Sequence, residues 1–472
     1  MSDPAKNQLT ARLTDLLGPG GLLSAASGLE KYATEPRGRF HGQPLAVARP
    51  ADVEQLAALV GLCRQQGVAM VPQGGNTGLV GGASASADGG QLIVSLERMN
   101  RIRSVDVADA SMVVEAGCTL AAVREAAAEQ GLMYPVSLAS EGTATIGGTI
   151  ATNAGGNWTI RYGNTRRQVL GLEGVLADGR IYRDLSALRK DNSGYDLTGL
   201  LVGSEGTLGI ISAATLALQS AARQSITAMV ATASLDDGLH LLSRLRRDMG
   251  ETLTACEFMP RLAMDFVLEH LPQARDPFSQ AHPWYVLVQA DSALDGDWLE
   301  TISFDALNKA LEERLATEVV IADSQGRAVA LWQLREAISP AQRHGGVSLK
   351  HDIAVPVGRI AAFVEAATTR LSRAVPGIRP CIFGHLGDGN LHFNLSQPED
   401  MRGEDFRALE GECNRIVFDL VDQFQGSIAA EHGVGLLRKG QLASGQPLKA
   451  ELIARIKRAL DPENLLNPGK IV

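Results

Sequence analysis

The sequence predicts an α+β protein of two or three domains, and three observations carry that expectation. At 472 residues the chain is too long for one compact core. Glycine gathers between residues 71 and 210, in blocks that read as an apolar strand followed by a Gly-rich turn. From about residue 221 glycine thins out and strand-like runs alternate with helical ones, the texture of a second α+β domain.

Taken in order, Ala51 to Gln66 has apolar residues at helical spacing with a stop at Gly67, and Leu120 to Gln130 is an alanine-rich helix ended by Gly131. The Gly-rich blocks are Val71 to Ala83 (VPQGGNTGLVGGA), Pro135 to Gly156 (PVSLASEGTATIGGTIATNAGG) and Gly203 to Leu218 (GSEGTLGIISAATLAL). None matches GxGxxG or GxxxxGK[ST], which excludes a Rossmann fingerprint and a P-loop. In the second half, Ser225 to Thr232 and Trp284 to Ala290 read as strands, while Asp236 to Met249 and Glu404 to Phe424 read as helices. The chain closes with DPENLLNPGKIV, and no internal repeat is evident.

A net charge of -9, from 53 acidic and 44 basic residues, argues against a nucleic-acid surface. The N-terminus lacks the apolar core of a signal peptide, and no window reaches the roughly 18 apolar residues of a membrane span, so a soluble cytoplasmic protein is expected. Five scattered cysteines without a CxxC pair disfavour zinc ribbons, iron-sulfur clusters and a disulfide framework. Any electrons would have to leave through a partner.

The richest segment is GHLGDGNLH at 384–392, followed later by Glu431-His432-Gly433. Asp388-Gly389 predicts a type I′ hairpin turn, which would pair Gly387 with Asn390, Leu386 with Leu391 and His385 with His392. Directly opposed residues have Cβ atoms roughly 4.5 to 5.5 Å apart, close enough for two imidazoles to share one ion. Alternation places Asn390, His392 and Asn394 on a polar face and Leu391, Phe393 and Leu395 on a core face. With Glu431 the set becomes two histidines and one carboxylate, suited to catalytic zinc, iron or manganese, with His432 beside it as a base. Upstream, WQLREAISP places Arg335 and Ser339 four apart on one helical face with Pro340 ending the turn, and SLKHDIAVP puts Lys350 and Asp352 on one side of a strand. In the glycine-rich half, Gly74-Gly75-Asn76-Thr77-Gly78 can point several N–H groups at one anion, a nest for phosphate. Gly147-Gly148 and Gly155-Gly156 would let a flat cofactor lie against main chain.

These motifs, with EHGVG and the terminal DPENLLNPGKI, together resemble the vanillyl-alcohol-oxidase/PCMH superfamily of FAD flavoproteins. Within it the likeness is to the D-2-hydroxyacid dehydrogenases, typified by the D-2-hydroxyglutarate and D-lactate enzymes, and it runs from about residue 35 to the C-terminus. It implies a two-part PCMH-type FAD-binding domain over 1–220, a substrate and metal-binding domain with an antiparallel sheet over 221–425, and a segment over 426–472 that returns to the flavin. It also implies that Pro72 and Gly74 to Gly78 hold the pyrophosphate. Ser137, Gly142, Thr145, Gly148, Asn153, Gly155 and Gly156 would line the isoalloxazine and ribityl region, with Glu205, Ile210, Ile211 and Asn467 near the FAD. The only histidine before residue 240 is His41, so the FAD is expected to be non-covalent.

The same resemblance gives Arg335, Ser339 and Lys350 to the substrate's carboxylates and Asn394 to the substrate. An arginine fork with a second cation favours a dicarboxylate. Ser339 stands where relatives tend to have threonine, and Leu349 and His351 where they tend to have aromatic residues, which would alter the distal end of the substrate site. The expected reaction is FAD- and divalent-metal-dependent oxidation of D-2-hydroxyglutarate, with D-malate as a further substrate. Zinc is expected first, and the electron acceptor is expected to be an electron-transfer flavoprotein. A D-lactate or glycolate dehydrogenase is the alternative, and a non-catalytic flavin-binding subunit is the alternative of another class. A homodimer is compatible with all three.

Overall fold

The computed structural model describes residues 3–24 and 26–472. The chain forms two compact units. The first gathers the chain up to Gly156 with Gly163–Ala221 and Glu431–Val472, and the second gathers Asn157–Tyr162 and Ala222–Ala430.

In the first unit a four-stranded sheet runs in the order Leu22–Leu23, Val47–Ala48, Leu92–Ser95, Met70–Gln73, the last three parallel. Strands covered on both faces read as continuous apolar runs, and all four residues of Leu92–Ser95 are buried. The helix that packs here is Val53–Gln65, opened by Asp52, whose carboxylate accepts the Gln55 N–H at 2.7 Å, and closed before Gly67 at φ +62°. A five-stranded antiparallel sheet follows, ordered Ile102–Asp106, Ser111–Glu115, Ile210–Ala217, Val169–Val175, Ile181–Asp184. One apolar core joins both sheets. The block IGGTIAT, which reads as strand and turn in the sequence, is instead a helix over Ile146–Thr152, capped by Thr145. Its glycines serve packing: a Cβ at Gly147 would lie 2.7 Å from Ala116 Cβ.

The C-terminal tail belongs to this unit. Met70 N–H bonds Leu465 O and Asn467 N–H bonds Met70 O, both at 2.7 Å, so the tail lies along the strand Met70–Gln73. Lys470 is buried, and its ammonium donates to Ser84 O at 2.8 Å. Burial without a counter-charge pushes its pKa from the ordinary 10.5 to about 8. The unfolded chain therefore binds more protons than the folded one between pH 8 and 10.5, so stability from this group rises with pH across that window. That displacement converts to an upper bound of about 3 kcal/mol. Denaturant melts at pH 7.5 and 10.5 should show the wild type gaining on Lys470→Met; parallel pH profiles would contradict the assignment.

The second unit is a seven-stranded antiparallel sheet between two helical layers. Its order is Glu318–Ile321, Gln224–Thr232, Trp284–Ser292, Leu253–Pro260, Arg379–His385, Asn390–Ser396, Ser348–Ala354. One face buries Phe258, Val288, Leu349, Ile353, Leu391, Phe393 and Leu395 under the helices Leu235–Met249, Trp298–Glu312, Ile360–Ala374 and Glu410–Gln423. The other carries Met259, Tyr285, Leu287 and Phe383 under Arg261–His270 and Gln325–Glu336. The helix expected over Glu404 to Phe424 is two, Gly403–Ala408 and Glu410–Gln423, with the Leu409 N–H turning back to Phe406 O. Gly411 immediately after the break is a poor helix former, so continuity there has little local support.

Candidate active site

The hairpin register differs from the expected one. Three strand pairings in the structure are His385 with Asn390, Gly384 with Leu391 and Phe383 with His392, so the loop is Leu386 to Gly389 rather than a two-residue turn. A type I′ turn needs positive φ at both central residues. Here Gly389 sits at +86°, and the N–H groups of Asp388 and Gly389 both return to His385 O, at 3.4 and 3.2 Å. His385 and His392 are thus diagonal neighbours. They still share a face, because directly paired residues do, and their ring centroids are 5.5 Å apart at 71°.

Register assigns the rest of that face. Asp352 pairs with His392 and Lys350 with Asn394, while Glu257, on the strand Leu253–Pro260, pairs with His385. Glu257 is fully buried; its Oε1 accepts from His385 Nδ1 at 2.7 Å, and its Oε2 accepts from Arg335 Nε at 3.0 Å and forms an ion pair with Nη2 at 2.8 Å. Burial pushes the Glu257 carboxyl up, but His385 and then Arg335 outweigh it and hold the net value below the usual carboxylate range. The sequence reasoning missed this residue. One acidic side chain in the apolar run TACEFM was the available signal.

Arg335 and Ser339 do not share one helix. Gln325–Glu336 ends at Ala337 and a separate turn spans Ile338–Ala341 with Pro340 inside it. A proline has no N–H for Glu336 O, so the break falls upstream of it rather than after it. Both residues nonetheless reach this face of the sheet: Arg335 bonds Glu257 and lies 4.9 Å from the Phe383 ring, and Ser339 Oγ accepts from Lys350 Nζ at 3.0 Å. Asn394 donates to Gln342 Oε1 at 2.9 Å, and buried Gln342 donates in turn to Ser396 Oγ at 2.9 Å. Leu349 and His351 point to the opposite face. His351 is buried against Phe393 O and Asn414 Oδ1, at 2.9 and 2.8 Å, so neither flanking residue shapes the side of the strand that carries Lys350.

In the first unit the glycine-rich passages converge on one another. A Cβ at Gly74 would overlap Thr145 Oγ1, one at Gly75 would overlap Thr143 O, and one at Gly156 would overlap Ser137 O, whereas Gly78 and Gly142 face open space. Pro72 lies on the strand Met70–Gln73, and Asn76 (φ +53°) ties the following loop to Lys31 O and Thr34 O at 3.2 and 2.9 Å. The Thr145 hydroxyl caps its helix onto Gly148 N–H, and Asn153, at φ +50°, ends that helix and accepts from Arg166 N–H at 2.9 Å. Ile210 and Ile211 are buried and pair with Val175 and Gly174. Buried Glu205 accepts the N–H groups of Val434 and Gly435 at 2.7 and 2.8 Å, anchoring the segment that carries Glu431 and His432. Burial raises its carboxyl above the ordinary range. Asn467 donates to Gly82 O and Glu205 O, at 2.8 and 2.7 Å.

Residues 44–184 match the "FAD binding domain" family and residues 221–471 match "FAD linked oxidases, C-terminal domain". A D-2-hydroxyglutarate dehydrogenase of Xanthomonas citri pv. viticola is 40% identical, over 95% of this chain and 94% of its own. The mitochondrial D-2-hydroxyglutarate dehydrogenase of Arabidopsis thaliana is 35% identical, over 97% of this chain and 80% of its own. The chain belongs to the FAD-linked oxidase family that contains these dehydrogenases. The fold of this FAD-linked oxidase is also that of p-cresol methylhydroxylase with substrate bound, at a TM-score of 0.76 and 18% identity, covering 100% of this chain and 97% of the other.

The residues present fit the group this family implies. Asn467 Oδ1 is buried without a protein partner, and a Cβ at Gly78 or Gly142 would meet no atom within 4 Å, which leaves main chain in two glycine-rich blocks open. His41, the one histidine before residue 240, is hydrogen-bonded to Thr34 Oγ1 at 2.6 Å. A second orphan supports a ligand on the polar sheet face: both amide atoms of buried Asn390, the residue paired with His385, lack a partner. Two imidazoles beside them form a donor set suited to a divalent ion. The five cysteines are free and buried, and burial pushes the thiols of Cys63 and Cys381 up to about 12. Among the described residues no helix is long and apolar enough to cross a membrane.

Proposed function

We propose that this chain oxidises D-2-hydroxyglutarate to 2-oxoglutarate, and accepts D-malate as a shorter dicarboxylate. The observation that carries this is the single sheet face on which the His385–His392 pair stands with Asn394, Lys350 and the Glu257-bound Arg335. His385, His392 and Glu431 would hold a divalent ion, zinc first and iron or manganese otherwise. Glu431 follows Ala430, whose N–H bonds Asp352 O at 3.4 Å on the neighbouring strand. Bound there, the ion supplies Lewis acidity that lowers the pKa of the substrate's α-hydroxyl. Bound in the glycine-rich unit, FAD supplies the hydride acceptor.

Each residue then has a task. Arg335 keeps one nitrogen, Nη1, clear of the Glu257 contacts for a substrate carboxylate. Lys350, whose ammonium donates to Ser339 Oγ, would bind the distal carboxylate, the handle that lactate lacks. Asn394 orients the substrate with its amide, itself held by Gln342. His432, next to a ligand, would take the hydroxyl proton on a ring nitrogen. Reducing equivalents are proposed to leave to an electron-transfer flavoprotein in the cytoplasm.

The test is an anaerobic absorption spectrum before and after D-2-hydroxyglutarate, with D-lactate and a chelator-treated sample alongside. Rapid bleaching of the flavin band with D-2-hydroxyglutarate, only while metal is present, is expected. Equal bleaching by D-lactate would replace this proposal with a D-lactate dehydrogenase.

A further inference from the structure

Glu257 is the most deeply placed charge on the polar sheet face, and neither the resemblance nor the hairpin motif points to it. Its two carboxylate oxygens are divided between two different functional groups: Oε1 takes the Nδ1 side of His385, and Oε2 takes two nitrogens of Arg335. A buried carboxylate is retained only where it is fully paired, and here both partners are side chains with proposed work on the substrate or the ion. Resting on the metal site proposed above, we infer that Glu257 is a positioning residue that sets the two halves of the active site at once. By accepting from Nδ1 it fixes the His385 tautomer and ring orientation, leaving Nε2 as the ligand atom. By accepting from Nε and pairing with Nη2 it fixes the guanidinium plane and determines which edge faces the substrate's carboxylate.

The argument is geometric. A metal-ligating histidine needs its second ring nitrogen held, and a carboxylate there raises the basicity of the ligand nitrogen. Strand pairing supplies the reach, because Glu257 stands directly opposite His385 in register. Glutamine at this position cannot replace it. If its amide oxygen accepts from His385, its NH2 faces the donors of Arg335, and the flipped amide reverses the conflict.

The experiment uses the FAD-loaded, metal-stripped full chain, titrated with zinc against a chromogenic chelator. Glu257→Gln should bind zinc 10- to 100-fold more weakly than wild type. KM for D-2-hydroxyglutarate should rise in the same variant, and the metal-free melting temperature reports whether the fold survives. Zinc affinity equal to wild type would overturn the inference. Absence of zinc binding by the wild type would instead overturn the metal site itself and this inference with it. Should Glu257→Gln not fold, the wild type suffices. In the 113Cd-loaded enzyme, histidine NMR should show His385 bound through Nε2 with Nδ1 protonated, and cadmium on Nδ1 of His385 would overturn the assignment.

Discussion

Replacing His385 or His392 by alanine is expected to abolish turnover of D-2-hydroxyglutarate while the protein stays yellow. Either change removes one of three proposed ligands, and the Lewis acid is asked to move the hydroxyl pKa by several units, so a loss of at least about a thousandfold, about 4 kcal/mol in barrier, is expected. Flavin retention is expected from where the residues proposed to hold FAD lie: Gly74, Thr145, Glu205 and Asn467 belong to the first unit, whereas both histidines belong to the second. The two variants should differ in stability. His385→Ala leaves buried Glu257 with Arg335 as its remaining partner of the two, whereas His392 is partly exposed and leans on the Phe383 ring at 5.1 Å. Steady-state rate with metal content by elemental analysis, the flavin absorption band and thermal melts would check these three points. A variant with normal rate and stoichiometric metal would remove the two-histidine site.

Lys350→Ala should change which substrate the enzyme prefers. Charge-assisted hydrogen bonds are worth about 1.5 to 3 kcal/mol, so kcat/KM for D-2-hydroxyglutarate should fall by about 10- to 100-fold. D-lactate has no distal carboxylate, and its kcat/KM should move by less than about threefold. The Ser339 hydroxyl holds the ammonium at 3.0 Å, so Ser339→Ala should show the same selectivity with a smaller amplitude. Equal losses for both substrates would mean that Lys350 serves the α-carboxylate or the fold, and the dicarboxylate preference would lose its main support.

Much of this site was legible in one dimension. The alternation of Asn390, His392 and Asn394 against Leu391, Phe393 and Leu395 is realised as drawn, with the three apolar residues fully buried. Lys350 and Asp352 likewise fall on one face, paired with Asn394 and His392. Both follow from the period of a strand, which depends only on neighbouring residues. The turn type is not legible in the sequence because a DG pair is compatible with several loops, and the neighbouring strand, through Gly387 N–H to Cys256 O at 3.3 Å, weighs on the choice. The helix breaks at Ala337, ahead of Pro340 rather than at it, because a proline acts on the carbonyl four residues upstream.

By itself, the sequence determined the two-part texture of the chain, the polar and apolar faces of its strands, and the histidines, cations and glycines available for chemistry, since these depend on residue type and local spacing. Only the tertiary structure decided which of those groups meet. His385 and Glu257 lie 128 positions apart, and their 2.7 Å contact exists because two strands from distant parts of the chain are adjacent in one sheet. The partner that orients a functional side chain is chosen by strand order and register, which are cooperative properties of the whole sheet and are written in no short stretch of residues.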